Sequence, residues 1–193
     1  MILIDTAARI REAINDPILT QQIDDSIAEL RRDFMHPEFK AILETVGPNG
    51  EFIDSIAGRT INPGHSIETA WFILEEAKYR GWDPQLKEMG LQILNWSWDW
   101  GWDKTYGGIT ISRIAKTSLP KSIGTHEVLV ATMRGGYRYA LRLPSDWRRQ
   151  ISRNAQTNKR LHIYHLPDKE YGEWYGYLHF DGSVSQSAKG NLF

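Results

Sequence analysis

The sequence predicts a mostly helical domain of stacked helix pairs with short β-hairpin inserts, arranged as a ring or solenoid. Three observations carry this. Apolar residues recur at helical spacing through the first hundred positions, and Asp or Asn followed by Pro opens successive segments at Asp16-Pro17, Asn62-Pro63 and Asp83-Pro84. The third is an internal echo: Asp103-Lys104-Thr105-Tyr106-Gly107 returns as Asp168-Lys169-Glu170-Tyr171-Gly172, 65 positions on. Each copy follows a predicted helix pair and precedes strand-like residues, as expected of a repeated structural unit.

In chain order, residues 3–15 read as a helix with Ile4, Ala7, Ile10 and Ile14 on one face. A second helix starts at Asp16-Pro17, because Asp is a good N-cap and Pro suits the first turn. Its stripe is Ile18, Ile23, Ile27 and Leu30, ending near Phe34. From His36 to Pro63, prolines and glycines break the pattern into a short helical piece, a turn at Gly47-Pro48-Asn49-Gly50 and a strand-like return from Glu51 to Ile56. The third helix begins after Asn62-Pro63-Gly64-His65. Its run from Ser66 to Leu74 is apolar almost all round, which predicts an inner, buried helix. Arg80-Gly81-Trp82 ends it, and Asp83-Pro84 opens a fourth running to about Trp98. A hairpin or loop insert is expected from Asp103 to Ile111, further helices over 126–142 and 145–163, and a final hairpin from Glu170 to Val184 around Asp181-Gly182.

The bulk numbers fit one globular domain spanning 1–193. The chain is 41% hydrophobic and 24% charged, with a net charge of -1. No basic excess exists to drive nucleic-acid or membrane binding, so the expected partner is a small, uncharged molecule. With no cysteine, disulfides and thiolate metal sites are excluded. The opening residues lack a basic region followed by an apolar run, and no stretch approaches a membrane span. Composition therefore favours a cytoplasmic protein. Eight Trp and eight Tyr stand out, with Trp96, Trp98, Trp100 and Trp102 on alternate positions. Aromatic rings stack on the C–H faces of sugars, and they also fill cores; composition leaves both roles open.

Among six histidines, His65 is the candidate for chemistry. It falls in the first turn of the apolar third helix, where backbone N–H groups and the helix dipole favour a neutral imidazole that can act as a base. Glu68 follows three residues later, on the same helical face, where a carboxylate can orient the ring or share the proton. The alternative is that His65 stands in for an N-cap and Glu68 is an ordinary first-turn acid. No metal site is expected: HExxH is absent, and His162 and His165 at i, i+3 have no third ligand nearby. GxSxG, P-loop and GxGxxG motifs are also absent. Proton transfer beside an aromatic wall is what remains, and it needs no redox or nucleotide cofactor.

Three ordered segments carry a family resemblance. These are Gly58-Arg59-Thr60-Ile61-Asn62-Pro63-Gly64-His65-Ser66-Ile67-Glu68, then Trp100-Gly101-Trp102-Asp103-Lys104-Thr105-Tyr106-Gly107-Gly108, then Pro167 to Leu178 with Asp181-Gly182 and Lys189-Gly190. Together they resemble the C-terminal half of the N-acylglucosamine 2-epimerase and cellobiose 2-epimerase family. The resemblance implies an all-α fold, about half of an (α/α)6 toroid, with short β-hairpin inserts. It implies epimerisation of an open-chain aldose at C2, in which two histidines on opposite faces remove and return the proton. His65 matches one of them, and Glu68 matches a carboxylate that supports ring opening and catalysis. The same resemblance implies substrate contacts from Arg59, Asn62, Trp100, Trp102, His126, Glu127 and Trp174.

Departures from the family pattern are also visible. The family's Trp-Trp-Pro-His-Asn-Glu segment stands here as Ile123-Gly124-Thr125-His126-Glu127, without either tryptophan, and residues 113–163 diverge generally. The second catalytic histidine of the family, in a Phe-His-x-Pro-Arg stretch after the Lys-Gly pair, falls beyond Phe193, and a catalytic arginine falls in the unmatched first half. Two outcomes are therefore expected: a sugar 2-epimerase, or a carbohydrate-binding remnant that lacks the full chemistry. Half a toroid exposes apolar inner surface, including the Trp71 to Leu74 face, so aggregation or pairing between copies is expected as well.

Overall fold

The computed structural model describes residues 1–14, 16–105, 108–110, 112–115, 167–172, 175, 179, 183 and 184. Helix α1 spans Ile2–Ile14 and α2 spans Pro17–Glu29. Asp16 starts α2 as the sequence predicts, its side chain accepting the Ile18 N–H. The helix then widens into a π-helical turn, Leu30–Phe34, and the chain straightens at Met35. Strand β1 (Met35–His36) pairs antiparallel with β2 (Ala41–Ile42). This hairpin replaces the short helical piece expected after His36. Pro37 disfavours helical backbone at His36, and Lys40 closes the turn with φ at 49°.

The turn at Gly47 to Gly50 is present: the Gly47 N–H bonds to the Glu51 carbonyl, and the Gly50 N–H to that of Gly47. The expected strand-like return from Glu51 forms no strand. It leads instead to a single helical turn, α3 (Ile56–Arg59), capped by the Ser55 side chain. Strand β3 (Thr60–Ile61) then pairs antiparallel with β4 (Arg113–Ile114), a pairing between residues too distant for local pattern to announce.

Helices α4 (Pro63–Tyr79) and α5 (Pro84–Gly101) form the central pair. Asn62 caps α4 by accepting the His65 N–H, and Asp83 caps α5 by accepting the Leu86 N–H. Eleven residues of α4 are buried, so the inner position read from its all-round apolar sequence holds. Close contact is made possible by glycine: a Cβ at Gly90 would lie 2.7 Å from Leu74 Cγ, and one at Gly101 would lie 2.5 Å from Pro63 Cβ. The main core joins Ile4 and Ala7 of α1, Ile23 and Ile27 of α2, Ile73 and Ala77 of α4, and Ile93 and Trp98 of α5.

The packed face of α1 differs from the expected one. Ile4 and Ala7 are buried, but Ile10 and Ile14 are 43% and 64% exposed, as is Ile18 at 67%. The helix instead turns Arg11 inward, 4% exposed, where it meets Glu76 of α4 in a two-pronged pair of 2.9 and 2.7 Å. Arg80 bonds the same carboxylate at 2.7 Å and reaches Asp24 of α2 at 2.6 Å, while the Tyr79 ring lies 3.8 Å under the Arg11 guanidinium. A strong ionic partner has overridden the simple apolar stripe.

The internal echo has a structural meaning. Asp103 Oδ1 accepts the Thr105 N–H at 2.7 Å, and Asp168 Oδ1 accepts the Glu170 N–H at 2.9 Å, so both copies fold as the same side-chain-closed turn. The first sits in the expected hairpin insert, where Trp102 bridges Ile109 and the Asp103 N–H bonds to Gly108. The helices expected over 126–142 and 145–163, and most of the final hairpin, lie outside the described residues.

The buried ion network gives a first prediction. Burial opposes ionisation of Glu76, but hydrogen bonds from Arg11 and Arg80 outweigh it and lower its pKa. A depressed carboxyl pKa contributes stability above its unfolded value and loses it as pH falls through the folded one. Glu76→Gln strands Arg11 and should cost about 3–5 kcal/mol in urea unfolding at neutral pH, with the deficit shrinking in acid as the wild type loses the same charge.

Candidate active site

The first turn of α4 presents His65 at a cleft. Its backbone is fixed by the Asn62 cap, with the His65 N–H 3.0 Å from Asn62 Oδ1. The side chain, about half exposed, points Nδ1 at the Glu44 carboxylate, 3.2 Å from Oε1 and 3.1 Å from Oε2. Glu44 follows β2, and its own N–H bonds to the Thr60 carbonyl of β3, two residues before the cap. Both members of the pair therefore hang from the same short stretch of backbone.

This geometry corrects one expectation. The helix terminus alone favours a neutral imidazole, but the His65 pKa is raised above its ordinary 6.5. The hydrogen bond to Glu44 is the main cause, partial burial opposes it, and the charges of Glu44 and Glu68 add to it. An adjacent carboxylate outweighs the half-charge of a helix end. With Nδ1 taken by Glu44, Nε2 is the nitrogen left to exchange a proton with a ligand.

An open cleft of about 270 Å³ runs beside this pair. Leu3, Phe34 and Ile42 give it an apolar side, while Glu29, Glu44 and His65 give it a polar one. A larger opening of about 500 Å³ lies at Asp24, Arg31 and Arg80, but it holds none of the residues singled out in the sequence, and Arg80 is already paired with Asp24 and Glu76. Among the described residues no group of three His, Asp or Glu is arranged to hold a metal ion, and no helix is long and apolar enough to cross a membrane.

The other sequence-derived candidates are placed as follows. Glu68 is half-buried on α4 one turn past His65 and acts on it through charge. Asn62 serves as the α4 cap. Arg59 pairs with Asp54, 2.7 Å from Nε and 2.6 Å from Nη2 to Oδ1. Trp100 donates its indole N–H to the Phe39 and Lys40 carbonyls at 2.9 and 3.1 Å, clipping the β1–β2 turn to the end of α5. Trp102 stacks on Trp98 with ring centres 5.0 Å apart. Among the described residues neither Trp lines the His65 cleft. His126, Glu127 and Trp174 lie outside the described residues. Glu44 is what sequence reasoning missed: it stands 21 positions before His65, outside any helical spacing that could have announced it.

The fold matches a cellobiose 2-epimerase from Bacillus thermoamylovorans B4167 with a TM-score of 0.77 at 19% identity, covering 94% of this chain and 45% of that one. It matches a sugar epimerase from a ruminal bacterium with a TM-score of 0.75 at 15% identity, covering 96% and 46%. The family described as N-acylglucosamine 2-epimerase (GlcNAc 2-epimerase) matches residues 7–192. Curated N-acylglucosamine 2-epimerases from Bos taurus and Homo sapiens are 31% identical over 163 residues and 30% identical over 167. Each alignment takes in 80% of this chain, and the chain spans 37% and 36% of their lengths. The chain belongs to the N-acylglucosamine 2-epimerase family, and its fold is the matching half of the (α/α)6 toroid.

The role of Trp100 as a clip is testable by stability. Trp100→Phe keeps the ring but frees two carbonyls, and should lower the unfolding free energy by about 1–3 kcal/mol in a denaturant titration.

Proposed function

We propose that this chain supplies the proton-abstracting side of a sugar 2-epimerase acting on an open-chain aldose such as N-acetylglucosamine or N-acetylmannosamine. The observation that carries the reading is the His65–Glu44 pair opening onto a cleft in a chain of this family. In the proposed step, neutral His65 Nε2 takes the C2 proton. The C2–H electron pair forms the C1–C2 double bond, and the C1 oxygen takes the negative charge. Return of a proton to the opposite face of C2 gives the epimer. Glu68, whose charge already reaches His65, supports the imidazolium that forms. Arg59, Asn62, Trp100, Trp102, His126, Glu127 and Trp174 complete the proposed substrate-contact set by family resemblance. The wider reading has a small sugar as ligand, a cytoplasmic setting and association between copies, though not over the Trp71 to Leu74 face expected to be exposed, since Phe72, Ile73 and Leu74 are buried in the core with α5.

A second reading is binding without turnover. One observation favours it: among the described residues His65 is the sole histidine of the cleft, and inversion needs a proton donor on the other face of C2.

Deuterium incorporation at C2, followed by mass spectrometry in heavy water, separates the two. N-acetylmannosamine, N-acetylglucosamine, mannose and cellobiose are the substrates to try. The epimerase reading expects exchange with epimer formation, and His65→Ala should slow it by roughly 10²–10⁴-fold with the circular dichroism spectrum unchanged. Exchange should climb as pH rises through the elevated His65 pKa, because only the neutral imidazole is a base. Unaltered exchange in His65→Ala would remove His65 from the mechanism. Absence of exchange with protection of Trp fluorescence by sugar would select the binding reading.

A further inference from the structure

Glu44 has no part in the family resemblance read from the sequence, yet it is the carboxylate that touches His65. We propose that Glu44 is a positioning residue, whose carboxylate accepts the His65 Nδ1–H and so holds the imidazole in the tautomer that leaves Nε2 as the base toward C2. The inference rests on the proposed role of His65 in proton abstraction, and it assigns to Glu44 the orientation that Glu68 was expected to provide.

Geometry carries it. Both Glu44 oxygens lie within 3.2 Å of Nδ1, so the carboxylate straddles the nitrogen and the ring has one preferred orientation. The pair is built on fixed backbone at both ends. The Glu44 N–H is bonded to the Thr60 carbonyl, and the preceding Leu43 N–H to the Phe34 carbonyl, which continues the β1–β2 pairing. Leu43 beneath it is 1% exposed. On the other side, the Asn62 cap fixes the His65 backbone, and the Thr69 hydroxyl donates to the His65 carbonyl at 2.8 Å. Neither residue can shift without breaking a backbone link, which is the condition for a preorganised base.

The charged groups facing His65 are Glu44 after β2 and Glu68 on α4, with Glu29 of α2 on the cleft wall. Glu44 is the only one of these hydrogen-bonded to the imidazole among the described residues. Its hydrogen bond is the principal cause of the raised His65 pKa. A raised pKa makes the neutral imidazole a stronger base, and it also moves the onset of activity upward in pH.

Histidine-detected NMR on the full chain tests this, with His65 assigned by its loss in His65→Ala. The wild type should titrate above 6.5, with nitrogen shifts showing Nδ1 protonated in the neutral form. Glu44→Gln keeps the shape and removes the charge, so the midpoint should fall toward 6.5 and the low-pH limb of C2 exchange should move down with it. Glu44→Ala should release the tautomer preference and slow exchange by on the order of 10²-fold, without a change in fold by circular dichroism. A midpoint and tautomer unmoved in both variants would overturn the role of Glu44. That result, alongside exchange that still depends on His65, leaves the base reading standing. Exchange as fast in His65→Ala as in the wild type sinks the base reading instead.

Discussion

Glu76 is 1% exposed in the last turn of α4, and the arrangement of the helices around it follows from the need to satisfy that charge. An isolated carboxylate there would be prohibitively costly, so two guanidinium groups close on it, Arg11 from α1 and Arg80 from the end of α4. Arg80 passes the connection to Asp24 of α2. Three helices are thereby tied at one point, with the apolar core of Ile4, Ile23 and Ile73 packed beside it. The consequence reaches the other end of the same helices. With α1 and α2 held against α4 in this register, Leu3 near the start of α1 and Glu29 at the end of α2 become walls of the cleft where His65 stands. A structural ion pair thus helps set the shape of a site it does not touch.

The two ends of α4 show opposite uses of charge. At Glu76 a buried carboxylate is neutralised on two sides and becomes inert, its pKa lowered by its partners. At His65 a half-exposed imidazole has one carboxylate on one nitrogen, and its pKa is raised. The first arrangement holds the fold over the pH range where Glu76 is ionised. The second leaves a group whose charge change is moved upward from its ordinary 6.5 by the partner it holds. Stability from the His65–Glu44 pair runs the other way: it is fully present below pH 6.5 and is lost as pH rises through the elevated pKa.

Much of this was legible in the sequence, and the reasons are local. Asp16, Asn62 and Asp83, each before a proline, announced three helix starts, and all three side chains accept the expected backbone N–H. The all-round apolar character of Ser66 to Leu74 announced an inner helix, and the echoed Asp103 and Asp168 segments fold as the same turn. What was not legible depends on partners far along the chain. Arg11 lies outside the Ile4, Ala7, Ile10 and Ile14 stripe, and the Glu76 that draws it inward stands 65 positions away. Trp100 looked like a sugar platform, and its indole N–H meets carbonyls of a turn 60 residues earlier. Glu44 meets His65 because β2 runs on beside β3, a register that neither strand's two residues could reveal.

Inverting a carbon divides the work between two faces, and the described residues bear unequally on them. On the proposed reading, the face beside α4 carries the base, with the Glu44 carboxylate on Nδ1 and both residues anchored to backbone. The facing wall, where α1 begins and α2 ends, offers Leu3, Ser26 and Glu29. Of these Glu29 is the one carboxylate and none is an imidazole, so the two walls are chemically unlike. A carbon acid that loses its proton to one wall and regains it from an equivalent group needs matched partners. This chain corresponds to 45–46% of the two solved chains compared above. On the proposed reading, the segment is then the base-bearing wall of an epimerase site.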